Sequence, residues 1–207
     1  MDPLLIDVPR RLVTERTILR RPLAGDGPLL NAAVIASLDE LRPWMPWAKD
    51  APTQDESEAY CRRMHAAYDL REDLVLFAFE RLDDAAEGEL IGAAGWHRMD
   101  WALRKFEIGY WCRTGHGRRG LVTEAVRALS RAAFDRLDAR RVEIRMDALN
   151  ERSQRVAERA GFTFEGLLRS DCLNVQGEPR DTRVYSRVRG IEEPARGMGA
   201  PAQRLGG

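Results

Sequence analysis

The stretch GYWCRTGHGRRGLVTEAVRAL, Gly109 to Leu129, decides how this chain is read: a strand-like run enters an Arg- and Gly-rich turn and passes directly into a helix. Backbone N–H groups left unpaired at a helix start point toward any anion placed there, and the helix dipole adds to the attraction. Arg118 and Arg119 put full positive charge at the same spot, while Gly115, Gly117 and Gly120 let the backbone bend and approach a ligand without Cβ interference. Past the turn, Val122, Val126, Leu129, Ala133 and Leu137 form an apolar stripe at helical spacing, with Glu124, Arg127, Arg131 and Asp135 opposite. The helix therefore lays one face on a sheet.

Outward from this unit, LVLFAFE (Leu74 to Glu80), ELIGAAGWH (Glu89 to His97) and KFEIGYWC (Lys105 to Cys112) are short apolar runs separated by turn residues, the pattern of a three-stranded antiparallel meander. RLVTERTILRRP, Arg11 to Pro22, reads as one opening strand, and Asp26 to Ser37 carries helical spacing. ELRPWMPWAKDAP, Glu40 to Pro52, holds three prolines and two tryptophans and reads as an aromatic loop. Thr53 with Glu56 forms a capping box that opens a helix running to about Arg71. Downstream, RRVEIRMDAL is a strand, ERSQRVAERAGF a short helix ended by Gly161, and FTFEGLLR and RDTRVYSRVR two closing strands. No repeat or internal boundary interrupts residues 1–189, so a single α/β domain with one mixed sheet is expected there; residues 190–207 lack periodicity and are expected to be a disordered tail.

At 207 residues and 44% apolar content the chain can bury a substantial core. It has no apolar run long enough to span a bilayer and no signal-peptide pattern at MDPLLIDVPRR, so no membrane association and a cytoplasmic location are expected. Lys plus Arg and Asp plus Glu are equal at 33 each, which leaves no whole-molecule field for nucleic acid or anionic lipid. Cys61, Cys112 and Cys172 lack CxxC spacing and read as reduced thiols, with no metal site. The turn lacks the Gly-Lys-Ser/Thr ending of a P-loop, and its GxGxxG spacing has no acidic residue closing a βαβ unit, so neither nucleotide motif fits.

A second segment, NERSQRVAERAGFTFEG (Asn150 to Gly166), follows one helix and one strand later. With LVTERTILRRP, LRPWMPW, IGYW, RRGLVTEAV and RDTRVYSRV in the same order, the chain resembles the GNAT acetyltransferases, and among them the RimJ/RimL-like branch that acetylates N-terminal amines. The resemblance covers about Arg11 to Val188. It implies a mixed, mostly antiparallel central sheet of about seven strands with helices on both faces, splayed between its fourth and fifth strands. Acetyl-CoA would lie in the opening and pass its acetyl group directly to an amine.

The same resemblance assigns roles. Backbone groups of Trp111, Cys112 and Arg113 would pair with the pantetheine arm like an added strand. Gly117, Arg118, Arg119, Gly120, Leu121, Val122 and Thr123 would cradle the pyrophosphate. Here Gly117 stands where the family carries a long polar residue, and β-branched Val122 where it carries a small one. Asn150, a helix N-cap, would also lie beside the CoA arm, and Ser153 would give a proton to the departing thiolate, although a helix-start hydrogen bond is an equal reading for it. Glu107 is the first candidate base, with Glu165 and Asp171 as fallback carboxylates. Trp44, Met45 and Trp47 would wall the acceptor pocket. His97 reads as a structural residue at a strand end, and His116 as part of the turn.

An α-amine, with pKa near 8 against about 10.4 for lysine, needs only a weak base, which favours the N-terminus of a ribosomal or other protein as acceptor. A small-molecule amine acceptor and a CoA-binding protein without turnover are the alternatives. A homodimer is compatible with everything above.

Overall fold

The computed structural model describes residues 2–195, so residues 196–207 of the tail expected at 190–207 lie outside the described residues. Eight strands form one sheet in the order β1-β2-β3-β4-β5-β6-β8-β7. They are β1 (Arg11–Val13), β2 (Thr17–Arg20), β3 (Leu74–Arg81), β4 (Glu87–Asp100), β5 (Lys105–Cys112), β6 (Arg141–Asp147), β7 (Thr163–Leu173) and β8 (Pro179–Val188). All neighbours are antiparallel except β5 and β6.

Strand β3 shows why the sheet needs cover on both faces. Leu74, Leu76 and Ala78 enter one core and Val75, Phe77 and Phe79 the other, the period-two signature of a strand buried on both sides. The first core is closed by α4 (Leu121–Arg136), whose stripe of Leu121, Ala125, Val126, Leu129 and Ala133 is buried in it together with the capping Leu137, and by Ala157 of α5 (Glu151–Arg159). The second is closed by α1 (Gly27–Ile35), α2 (Leu38–Leu41) and α3 (Gln54–Leu70). Helix α3 starts at the expected box: Thr53 Oγ1 accepts the Glu56 N–H at 3.2 Å, and Glu56 accepts the Thr53 N–H at 2.8 Å. No helix among the described residues is long and apolar enough to cross a membrane.

Two readings of the sequence are corrected. Arg11 to Pro22 is not one strand but a hairpin of β1 and β2 turned over Thr14 to Arg16, so the sheet has eight strands. The turn is tied down from outside: Glu124 of α4 accepts the Thr14 hydroxyl at 2.6 Å and the Arg16 N–H at 2.8 Å. Local alternation continues through the turn and carries no trace of that distant carboxylate. Likewise the Glu40 to Pro52 loop opens in the last residues of α2 and contains a 3₁₀ turn at Pro46–Ala48. At the other end, the chain past Val188 turns back on itself as far as it is described, with Glu192 accepting the Val188 N–H at 2.9 Å and Glu193 paired to Arg187.

The feature that positions the site is the short contact between β5 and β6. They pair only at Lys105↔Arg141, Phe106↔Val142 and Glu107↔Glu143, although β5 runs on to Cys112 and β6 to Asp147. From Ile108 onward the β6-facing edge of β5 is unpaired by β6, which gives the expected splay. With the hairpin counted as one strand, these are the fourth and fifth strands.

Candidate functional site

At the end of β5 the turn enters α4 through Gly120, which sits in the left-handed region at φ 80° and caps the helix without a side chain. The first helical bond runs from the Glu124 N–H to the Gly120 carbonyl at 3.0 Å. The N–H groups of Leu121, Val122 and Thr123 therefore have no intrahelical acceptor, and together with the helix dipole they make an anion site. Val122 rests partly buried against the main core. A Cβ on Gly117 would meet nothing within 4 Å, so glycine there answers no demand for space.

The two arginines of the turn differ. Arg119 is committed to Glu80, stands 3.4 Å from His116 Nδ1, and gives its carbonyl to Arg16 at 2.9 Å. Arg118, exposed and held at φ 63°, has no ion-pair or hydrogen-bond partner among the described residues. A free guanidinium beside three free N–H groups suits a diphosphate. His116 is spent on Glu89 at 3.0 Å.

Along β5, Glu107, Gly109 and Trp111 share the face toward α1 to α3, while Phe106 and Ile108 are buried in the first core and Tyr110 packs against it. Trp111 rests on the second core and meets Trp47 edge-on at 6.1 Å, with Met45 packed on the same cluster and Trp44 half-buried nearby in sequence. The aromatic loop thus reaches the strand that borders the splay. Burial pushes the Cys112 thiol up to about 11, aided by Glu40, which suits a strand residue and not a nucleophile. The Arg113 N–H donates to the Ile91 carbonyl of β4 at 2.8 Å, on the side of β5 away from the splay.

Across the splay, Asn150 caps α5 by accepting the Ser153 N–H at 3.0 Å. Ser153 Oγ in turn lies 2.9 Å from the Tyr110 hydroxyl. Burial raises the pKa of Tyr110, which keeps its phenol protonated. Nothing in the residue type marks Tyr110 as a site residue. Its only signal is phase: in IGYW it alternates with Gly109 and Trp111 and so faces the helix that carries Ser153.

The candidate carboxylates separate by environment. Arg141 grips Glu165 through both oxygens at 2.6 and 2.5 Å and holds it below the usual carboxylate range. Asp171 is lowered by Thr182 and by Arg145, whose guanidinium is 2.7 Å away. Burial pushes Glu107 up, against the pull of the Arg98 guanidinium at 2.9 Å, and nearby Glu143 adds to the rise. Of the three, only Glu107 is held above the range and so is the better proton acceptor. A raised folded-state pKa contributes stability that is full below the ordinary carboxylate range and lost as pH rises through the folded value. Glu107→Gln is therefore expected to raise the melting temperature near neutrality by on the order of 2 °C, a gain that vanishes toward about pH 4. Melting curves across that pH range check it; a Tm difference independent of pH would exclude the ionisation as its cause.

Residues 16–163 match the family model described as Acetyltransferase (GNAT) domain. YdaF of Bacillus subtilis (strain 168), whose name provisionally assigns it as a ribosomal N-acetyltransferase, is 32% identical over 178 residues, covering 84% of this chain and 92% of that protein. The ribosomal-protein-serine acetyltransferase of Escherichia coli (strain K12) is 33% identical over 103 residues, 49% of this chain and 56% of that protein. Among solved structures, the microcin C7 self-immunity acetyltransferase MccE, in complex with acetyl-CoA and AMP, superposes with a TM-score of 0.79 at 22% identity, covering 88% of this chain and 98% of that one. That likeness is one of fold.

Proposed function

The chain belongs to the GNAT acetyltransferase domain family and is an acetyl-CoA-dependent N-acetyltransferase, and on that premise we propose that its acceptor is the N-terminal α-amine of a ribosomal or other protein. The observation that carries the reading is the unpaired edge of β5 from Ile108 onward. It has a helix start with free N–H groups and an Arg118 unpartnered among the described residues at one end, and the raised carboxylate of Glu107 at the other. YdaF, similar over nearly its whole length, bears a ribosomal name. An α-amine also matches a site whose best base is a single carboxylate. A cytoplasmic place of action goes with such an acceptor.

Bound acetyl-CoA supplies the thioester. The N–H groups of Leu121, Val122 and Thr123 and the Arg118 guanidinium hold the pyrophosphate, and the backbone of Trp111 and Cys112 lines the pantetheine arm. Trp44, Met45 and Trp47 wall the acceptor side. Glu107 takes a proton from the incoming ammonium, and Ser153, hydrogen-bonded to Tyr110, gives one to the departing thiolate. Glu107→Gln and Ser153→Ala are each expected to lower kcat while leaving CoA affinity nearly unchanged.

The test is thiol release with acetyl-CoA and short peptides bearing a free N-terminal Ser or Ala, run beside spermidine and an N-acetylated copy of each peptide. Release with the free peptides alone is the expected result. Release with spermidine alone would replace the acceptor by a small amine. Silence with every amine despite CoA binding would reduce the protein to a CoA-binding one.

A further inference from the structure

The acetyltransfer reading leaves one proton unassigned. An ammonium that becomes an amide loses two protons from nitrogen; one balance of the reaction returns a single proton to the thiolate and releases the other. Glu107 accounts for the first loss, and its carboxylate is engaged by Arg98 through both oxygens at 3.1 and 2.9 Å. A second acceptor on the same face completes the balance.

His97 occupies that place. It is the register partner of Glu107 across β4 and β5, so the two side chains leave the same face of the sheet. Its ring reaches diagonally over Gly109: a Cβ at Gly109 would lie 2.8 Å from His97 Cδ2 and 3.1 Å from Nε2. Gly109 is the second residue of β5 beyond the last pair with β6, so the imidazole lies at the mouth of the splay. The other ring nitrogen is anchored. His97 Nδ1 stands 2.7 Å from Asp73 Oδ1, within ion-pair distance, and no aligned hydrogen bond reaches that buried oxygen among the described residues. A carboxylate that close favours the proton on Nδ1 and leaves the lone pair on Nε2, which has no partner among the described residues. The groups around the pair are the Glu107 and Arg98 ion pair on β5 and β4 and Tyr60 of α3. The phenol of Tyr60 is pushed up to about 12 by burial and then by Asp73, and so stays neutral.

We propose that His97 is a second catalytic base, taking onto Nε2 the proton that the acceptor nitrogen sheds as the carbon–sulfur bond breaks, and that Asp73 is its positioning residue. The nitrogen–carbon bond forms, the thiolate leaves with the electron pair of the broken bond and takes a proton from Ser153, Ser153 recovers one from water as Glu107 gives its proton up, and His97 passes its own to water. This rests on the acetyltransfer reading. A glycine at 109 gives the ring its place, and any side chain there would push it off the strand.

The experiment has two arms on the full chain. In the protein alone, ¹⁵N spectra of the imidazoles, of which there are three, are expected to show His97 with a protonated Nδ1 and a bare Nε2, and Asp73→Asn to abolish that preference. With acetyl-CoA and a free-amine peptide, His97→Ala is expected to lower kcat about 100-fold with KM for acetyl-CoA unchanged, and added imidazole to restore part of the loss. Asp73→Asn is expected to lower kcat roughly 10-fold. A proton on Nε2 in the wild type, full activity of His97→Ala, or a loss in a folded His97→Ala that imidazole leaves untouched would each overturn the assignment. A wild type with the expected tautomer that transfers acetyl to no amine would overturn the acetyltransfer reading and the role of His97 with it, whereas a working wild type beside an equally active His97→Ala removes His97 alone.

Discussion

Gly92→Ala is expected to destabilise the fold by about 3–5 kcal/mol and lower the melting temperature by roughly 10 °C. Gly92 lies at φ 147°, a conformation that L side chains rarely adopt, and a Cβ built there would sit 2.2 Å from the Trp111 carbonyl oxygen and 3.1 Å from Cys112 Cα. Neither neighbour is a flexible side chain that could swing away. The position also carries a kink. Ala78 pairs with Gly92 and Phe79 with Leu90, so Ile91 is the extra residue of a bulge in β4. Relief of the clash must push β5 outward at Trp111 and Cys112, where the CoA arm is proposed to lie, so the surviving protein should also show a raised KM for acetyl-CoA. Gly117→Ala is the control: its Cβ meets nothing within 4 Å, and its Tm should stay close to that of the wild type. Thermal melts of the two variants decide; equal melting temperatures would remove the close-approach argument.

The difference between these two glycines shows what the sequence could and could not disclose. Gly92 stands in the apolar run ELIGAAGWH and looks like any strand glycine, whereas Gly117 clusters with arginines and so stands out. Gly92 is demanding because another strand's carbonyl faces it, a fact of tertiary register that no local window contains. The main elements were legible for the opposite reason: the β3 to β5 meander, the α3 capping box and the α4 stripe are set by neighbours a few residues apart. The hairpin at Thr14 to Arg16 was not, since the Glu124 that fastens it lies more than a hundred positions away. The site divides in the same way. Arg118 and Gly120 announce an anion site by type and spacing. The partners that rank Glu107 above Glu165 and Asp171, and the Asp73 that orients His97, lie on other strands or at their ends, beyond any local window.

The largest expected effect on cofactor use falls on one arginine of a pair that looks equivalent in sequence. Arg118→Ala is expected to raise KM for acetyl-CoA about 10–100-fold, the worth of one charge-assisted bond to phosphate, with kcat unchanged because that contact is the same in ground and transition states. Arg118→Glu, which places like charge beside the diphosphate, should raise it further. Neither should lower the melting temperature, since Arg118 has no partner to lose among the described residues and its left-handed φ of 63° is as costly for arginine as for alanine or glutamate. Arg119→Ala is expected to behave the other way. It removes the contact with Glu80 and the approach to His116, partly exposed interactions worth at most about 1 kcal/mol, and should soften the turn with a smaller change in KM. Salt adds an independent readout: rising ionic strength should weaken acetyl-CoA binding in the wild type and in Arg119→Ala, and less steeply in Arg118→Ala, where one exposed phosphate contact is gone. Isothermal titration with CoA at two ionic strengths separates the pair. Identical losses in the two alanine variants would mean that the turn binds by its summed charge, and the assignment of the free guanidinium to the phosphates would fall.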